Sequence, residues 1–373
     1  MFCLARLFLR FNLDLIEVKV YNPTMAREED IQIKSIFIQN YKGIDLLELD
    51  FPNPSIYEYS NICVLGSKNG MGKTSLLECI ALLTLAAYGE LEFKVHDIDT
   101  DFIHAGADET IIRGVFLINN EQKAIKLVID AKGNIAVDEK IDASNSREFK
   151  RKTYTIGEVM GLTPEPVNAQ GVFFIHGYRK VQEGRLDLGS IVGDDERNRI
   201  RRLRYSPYRM QESALSSFKI SILEWQLSKA DLLVYPSSRK LKGNEEALGK
   251  LNKLLEKYAQ VTLDKIKAYG DGTMSLLVKD LKNTKSTFPI DGLSSGQKEI
   301  ISTLFMIWET TRDKSTIVLI DEPELHLNSH WHKSFIRDLI DLSPDNQYII
   351  ATHSEQIMAS VSHDKRYMLQ NNE

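Results

Sequence analysis

The sequence predicts an α/β fold with a mixed central sheet, an antiparallel β meander and a helical insertion. Three observations carry that prediction. The strand NICVLG runs through a glycine-rich loop into a nearly all-apolar helix; two later apolar strands, TIVLI and QYIIA, end abruptly in polar residues; and short alternating segments with turns between them fill residues 111 to 140.

The elements are taken in chain order. IQIKSIFI (Ile31 to Ile38) and DLLELDF (Asp45 to Phe51) alternate apolar and polar residues as half-buried strands do, with a turn at Tyr41, Lys42 and Gly43. NICVLG has no polar face and reads as a buried strand, and LLECIALLTLAAYG as a helix that can only lie inside the protein. GVFLINN, AIKLVID and NIAVDEK form the meander, turning at Asn119-Asn120 and Lys132-Gly133, and GVFFIH adds a core strand. From Arg179 to about Tyr258 the chain is charged and helix-forming. A hairpin then turns at Gly270-Asp271-Gly272. After Asp291 come a helix, the strand TIVLI, a helix from His330 to Leu342, the strand QYIIATHS and a short strand near Arg366 to Leu369. Residues 1–24 read as a loose extension, because Arg6, Arg10, Asn12 and Asp14 break their apolar run and no small-residue cleavage site follows. Residues 25–373 read as a single domain in three parts: 25–177 with the glycine-rich loop, 178–285 with the helical insertion and hairpin, and 286–373 with the last two polar strand ends.

Composition narrows the class. With 43% hydrophobic and 27% charged residues the chain has ordinary globular make-up, and its net charge of -5 excludes a surface coated in positive charge. Any nucleic-acid contact must be local. The three cysteines, Cys3, Cys63 and Cys79, form no CxxC pair, which fits reduced thiols and a cytoplasmic location. No run reaches the roughly 20 apolar residues of a membrane span.

The glycine-rich loop is GSKNGMGKTS. Unpaired N–H groups at a helix start, aided by the helix dipole, attract an anion, and glycines let the loop wrap around it. Ser67, Lys68, Asn69, Gly70, Met71, Gly72, Lys73, Thr74 and Ser75 are the expected phosphate cradle. Asn69 to Gly72 supply the curve, Lys73 reaches the outer phosphates and the Thr74 hydroxyl ligates Mg²⁺. Ser67 stands where the usual pattern has glycine; Gly66 comes one residue early. A chance glycine turn is the bland alternative, and the flanking buried strand and helix weigh against it.

LIDEPELHL puts two carboxylates at the end of an apolar strand, where paired acids need a cation or polar substrate. Asp321 is placed to hold Mg²⁺ through water, and Glu322 to polarise the water that attacks a γ-phosphate. A strand that simply ends in acids at the surface is the alternative. His326, His330 and His332 admit a rival zinc reading but lack the HExxH order that puts ligands on one helical face. His353, at the end of QYIIATHS, can reach a γ-phosphate across the sheet edge; the bland reading is a structural histidine.

LSSGQK poses a second anion site. Ser294 and Ser295 can cap a helix starting at Gly296, whose face Ile300, Ile301, Leu304, Phe305 and Trp308 is buried. LSSGQK is similar to the LSGGQ signature of ATP-binding-cassette (ABC) ATPases and to the LSGG-plus-lysine form of chromosome-maintenance (SMC) and recombination (RecF-type) ATPases. With GSKNGMGKT, LIDEPELHL and ATHS it stands in those families' order. The last two motifs look most like compact AAA-type cassette proteins, many of which serve in prokaryotic anti-phage systems, of Septu or retron type, beside a nuclease. Ser295 departs from the usual glycine, and neither Gln170 nor Gln182 stands clearly at the Q-loop position.

The resemblance implies a P-loop NTPase of ABC/SMC-head type that uses ATP and Mg²⁺. It implies catalytic roles for Lys73, Glu322 and His353, metal ligation by Thr74 and Asp321, and a head-to-tail dimer or higher oligomer. In that dimer Ser294, Ser295, Gly296 and Gln297 close over the neighbour's nucleotide. Lys42 corresponds to the basic residue of the family's early strand turn. An effector partner, such as a nuclease, is implied by the anti-phage relatives; an ATP-locked scaffold with little turnover and a RecF-like DNA repair ATPase are the alternatives. The stripe Arg197, Arg199, Arg201, Arg202, Arg204 and Arg209, with Tyr205 and Tyr208, suits phosphate contacts and base stacking, or else a solvated face diluted by Asp194, Asp195 and Glu196. Reversing several of these arginines should weaken nucleic-acid binding and flatten its salt dependence in a titration series; unchanged binding would dismiss the stripe.

Overall fold

The computed structural model describes residues 30–51, 61–66, 72–92, 102–132, 134–138, 153–161, 166–177, 186–187, 218–219, 221–223, 226, 244–270, 273–325 and 327–369. The loop residues Ser67, Lys68, Asn69, Gly70 and Met71 lie outside them, as do the extension 1–24, the arginine stripe from Arg197 to Arg209, Gln182 and His326.

The centre is a six-stranded sheet in the order Arg366–Met368, Asn61–Gly66, Gln347–Ala351, Ile317–Asp321, Val172–Ile175, Val167–Ala169. All neighbours are parallel except the last pair. Both faces are covered, and this explains why these strands read as unbroken apolar runs instead of alternating. Cys63, Leu65, Phe174, Leu319 and Ile349 point into one core; Ile62, Val64, Phe173, Ile320 and Ile350 point into the other.

The first core is closed by helix Lys73–Ala87 and a five-stranded antiparallel sheet, Ile44–Asp50, Ile31–Tyr41, Glu109–Ile118, Glu121–Asp130 and Ile135–Asp138. Every residue of that helix from Leu76 to Ala87 is buried, as its apolar composition demands. Gly114 lets the sheet sit directly on it, since a Cβ there would come 2.6 Å from Leu83 Cδ2. The expected turns at Tyr41-Lys42-Gly43 and Asn119-Asn120 are present, with Lys42, Asn119 and Asn120 in the left-handed region. The second core is closed by helices Asn244–Ala259, Ser295–Thr311 and Ser329–Leu342 and by the hairpin Val261–Ala268 with Thr273–Asp280.

Two polar devices join the layers. The Gln347 side chain accepts the Ile33 N–H at 2.7 Å and donates to the Ile33 carbonyl at 2.9 Å, acting as a strand partner where the register of Ile31–Tyr41 shifts between Ile33 and Ser35. Glu78 accepts from Tyr41 Oη at 3.0 Å and from Lys42 Nζ at 2.8 and 2.6 Å through its two oxygens. Neither device has a local sequence signal.

Burial pushes the Glu78 carboxyl above its ordinary value, and Lys42 pulls it back. Lys42→Ala therefore leaves a buried carboxylate without its counter-charge and should cost about 3 kcal/mol at neutral pH. Because the folded-state pKa is then raised further above the unfolded one, stability of the variant should fall as pH rises from the ordinary glutamate range through that raised value. Denaturant titrations across pH read this directly; a pH-independent loss would refute the account.

Candidate functional site

The parallel register sets the site. Leu65 pairs with Ala351 and Ala351 with Asp321, so the chain leaves three neighbouring strands at nearly one level. The segments that leave them meet at that edge: Lys73 and Thr74 after the first, Thr352 and His353 after the second, Glu322 after the third. Beyond the fourth, Gly177 lies against the acids, an added Cβ falling 3.4 Å from Glu322 Cβ and 3.5 Å from Asp321 Oδ2.

Helix Lys73–Ala87 begins at Gly72, which has φ 82°, and among the described residues no side chain caps it. The left-handed backbone favours glycine, and a Cβ there would also strike Ile44 Cγ1 at 2.9 Å. A helix start at glycine has N–H groups that an anion can satisfy, aided by the helix dipole.

The expected charged residues converge here. Lys73 Nζ stands 2.9 Å from His353 Nε2, and His353 Nε2 stands 3.5 Å from Glu322 Oε1. Thr74 Oγ1 donates to Asp321 Oδ2 at 3.0 Å. Burial lowers the Lys73 pKa below the usual lysine value, while Glu322, Asp321 and Glu324 draw it back up. Thr74 and Asp321 are hard oxygen donors close enough to share one small cation or its bound water, which is the donor set Mg²⁺ takes. The residues present fit that ion.

Sequence reasoning passed over Glu324. Its Oε2 accepts from Thr352 Oγ1 at 2.7 Å and its Oε1 from the His353 N–H at 2.5 Å, so it fixes the backbone that carries His353. The only signal was its place in DEPE, two residues beyond Glu322. Of the histidine trio, His326 lies outside the described residues, His330 is exposed, and His332 Nδ1 lies 3.0 Å from Ser354 Oγ; among the described residues no group of three or more metal-ligating side chains occurs. Lys42 is held by Glu78 behind the helix. Gln170 donates its N–H to Glu90 and comes just after strand Val167–Ala169 at the far edge of the sheet.

The second helix tip is built differently. Ser294 is the N-cap of helix Ser295–Thr311, one residue earlier than the expected start, and Ser295 is its first residue. Ser294 Oγ accepts the Gln297 N–H at 3.3 Å and Gln297 Oε1 accepts the Ser294 N–H at 3.0 Å, a complete capping box. Ser294 and Ser295 are exposed, and the Ser294 hydroxyl keeps its proton to donate outward. The predicted face of Ile300, Ile301, Leu304, Phe305 and Trp308 is buried.

Glu322 carries backbone strain. Its φ is 45°, in the left-handed region that a residue with a Cβ occupies only at a cost, and it precedes Pro323, which restricts it further. Glu322→Gly should exceed Glu322→Gln in unfolding free energy by about 1 kcal/mol, measured by denaturant titration. A glycine variant no more stable than the glutamine variant would mean that the strain is absent.

Residues 202–358 match the family described as AAA ATPase domain, a span that takes in Ser294, the acidic strand and His353. The chain is 21% identical, over 399 residues, to the retron Vc95 probable ATPase of Vibrio cholerae serotype O1 biovar El Tor, across 91% of this chain and 77% of that protein. Among solved structures it is similar to an SMC head bound to the C-winged helix domain of ScpA, with TM-score 0.51 and 15% identity over 88% of this chain and 91% of that one. It also aligns with the recombination mediator protein RecF at TM-score 0.46 and 14% identity, over 91% and 98% of the two chains.

Proposed function

We propose that this chain, a P-loop ATPase with an ABC/SMC-type head fold, works as a head-to-tail dimer in which each copy binds ATP at its own sheet edge and is completed by the other's signature helix. The observation that carries the reading is the contrast between its two helix tips. One, at Gly72, has no side-chain cap among the described residues and lies beside Lys73, Asp321, Glu322 and His353; the other, at Ser294, is capped by its own residues and exposed. A tip beside the charged cluster suits the chain's own nucleotide. A rigid, exposed tip with a spare hydroxyl proton suits a partner's.

The geometry suggests the roles. Lys73 binds the outer phosphates, and its close contact with His353 gives way when a phosphate oxygen takes the ammonium. Glu322 accepts a proton from, and orients, the attacking water. His353 donates to the γ-phosphate from a backbone that Glu324 holds. Thr74 and Asp321 would hold Mg²⁺, which when bound neutralises charge building on the β- and γ-phosphates. The partner's copy of the Ser294 tip adds hydrogen bonds from a fixed position, an electrostatic contribution that costs little reorganisation during reaction.

Coupling of nucleotide state to a partner effector fits this reading, since one relative is a retron probable ATPase. Among the described residues no helix is long and apolar enough to cross a membrane.

Lys73→Ala and Ser294→Arg chains should each be inactive alone, and mixing them should restore one working site per mixed dimer, about a quarter of the parent rate for random pairing with independent sites. Steady-state hydrolysis of the mixture checks this; absence of rescue from two folded, dimerising variants would sink the shared site.

A further inference from the structure

The Ser294 tip and the His353 ring belong to different elements, yet a continuous line of contacts joins them. Gln297 begins it. Besides closing the capping box through Oε1, its Nε2 donates to the Tyr258 carbonyl at 3.2 Å. Tyr258 is next to last in helix Asn244–Ala259, so that carbonyl is among those with no partner inside the helix. One side-chain amide thus ties the start of one helix to the end of another.

Tyr258 grips helix Ser329–Leu342 at two points. Its ring meets Trp331 edge-on, with centroids 5.4 Å apart and planes at 86°, and its hydroxyl donates to Asp338. Trp331 and Asp338 are two turns apart on one helical face, and Tyr258 and Asp338 are buried, so helix and tyrosine move together. The residue beside Trp331 carries the line across the helix. His332 Nδ1 lies 3.0 Å from Ser354 Oγ, and Ser354 donates its own N–H to Thr352 Oγ1 at 3.0 Å. Thr352 and the His353 N–H both end on Glu324. Among the described residues the other ring nitrogen of His332 is buried without a hydrogen-bond partner, and Ser354 is the polar group that orients the imidazole.

We propose that Tyr258, Trp331 and His332 are positioning residues that make the placement of His353 depend on whether the Ser294 tip is engaged by phosphate. This deepens the ATPase reading and rests on it. When a phosphate draws Ser294, Gln297 keeps both of its bonds only if Tyr258 moves with it. Tyr258 carries helix Ser329–Leu342 through Trp331 and Asp338, and His332 carries Ser354 and with it the Thr352-His353 backbone. Such a chain of packed and bonded groups is the physical form that coupling between separated sites takes.

The line can be read without nucleotide. In the nucleotide-free chain, Gln297→Ala and His332→Leu should each speed amide hydrogen exchange at His353, Ser354 and Ile357 several-fold, whereas His332→Asn, which keeps a donor toward Ser354, should not. With ATP, His332→Leu should lower kcat about tenfold while leaving ATP affinity within about twofold, and the Gln297→Ala/His332→Leu pair should lose no more than the worse single change. Should His332→Leu fold poorly, Trp331→Leu takes its place in the cycle. Unchanged exchange in Gln297→Ala, or losses that multiply in the pair, overturns the relay. The mixed-chain rescue tests the shared site separately: rescue with multiplying losses sinks the relay alone, and non-additive losses without rescue sink the shared site alone.

Discussion

The in-register parallel ladder of the central sheet is the constraint on which the rest depends. Ile62 to Leu65, Tyr348 to Ala351 and Val318 to Asp321 run side by side with matched partners, so their chain exits are level. A shift of one strand by one residue would exchange its two faces and drive apolar side chains out of both cores, so register is fixed by burial and the site inherits its alignment from packing. The electrostatics build on that alignment. Lys73 loses hydration at that edge, and Asp321, Glu322 and Glu324 offset the loss; removal of any one charge would leave the others poorly compensated.

The outer sheet serves the same end from behind. Gln347 joins the two sheets at the bulge of the first strand, and Glu78, one turn beyond Thr74 on the phosphate-loop helix, is clasped by Tyr41 and Lys42 from the hairpin turn. Burying a carboxylate and its partner yields little net stability, because desolvation offsets most of the attraction. It does fix the helix along and about its axis, since the clasp is directional where the surrounding leucines are not. An anion site made of backbone N–H groups is only as well placed as its helix.

The Gly72 helix tip and the strained Glu322 show local rules bent at the convergent edge, and the Ser294 tip shows them kept. A helix start at a left-handed glycine and a left-handed glutamate before proline both cost stability, and both lie at the convergent edge. The helix Ser295–Thr311 keeps the rules: a full capping box, a buried apolar face, and an exposed Ser294 whose hydroxyl oxygen satisfies the backbone while its proton is left to give. Gln297 serves the cap and the neighbouring helix with one amide, which makes the tip a rigid part of the second core.

The sequence by itself marked the central strands, the buried helix and most members of the candidate site. Period-two runs, continuous apolar strands and an all-apolar helix report burial residue by residue; DEP and THS mark strand ends because polar residues there break an apolar run, and GKT marks the start of the buried helix. It also marked the signature tip, since Ser-Ser-Gly before a buried helical face is a local capping signal. Only the tertiary structure decided that Glu324 holds His353, that Lys42 serves Glu78, that Gln347 joins two sheets, and that Tyr258 links the tip to the helix carrying His332. Those pairings bridge residues 29, 36, 314 and 39 positions apart in the chain. Local patterns record which face of an element is dry; they carry no record of which distant polar group will be waiting there, because that partner is chosen by how the layers stack.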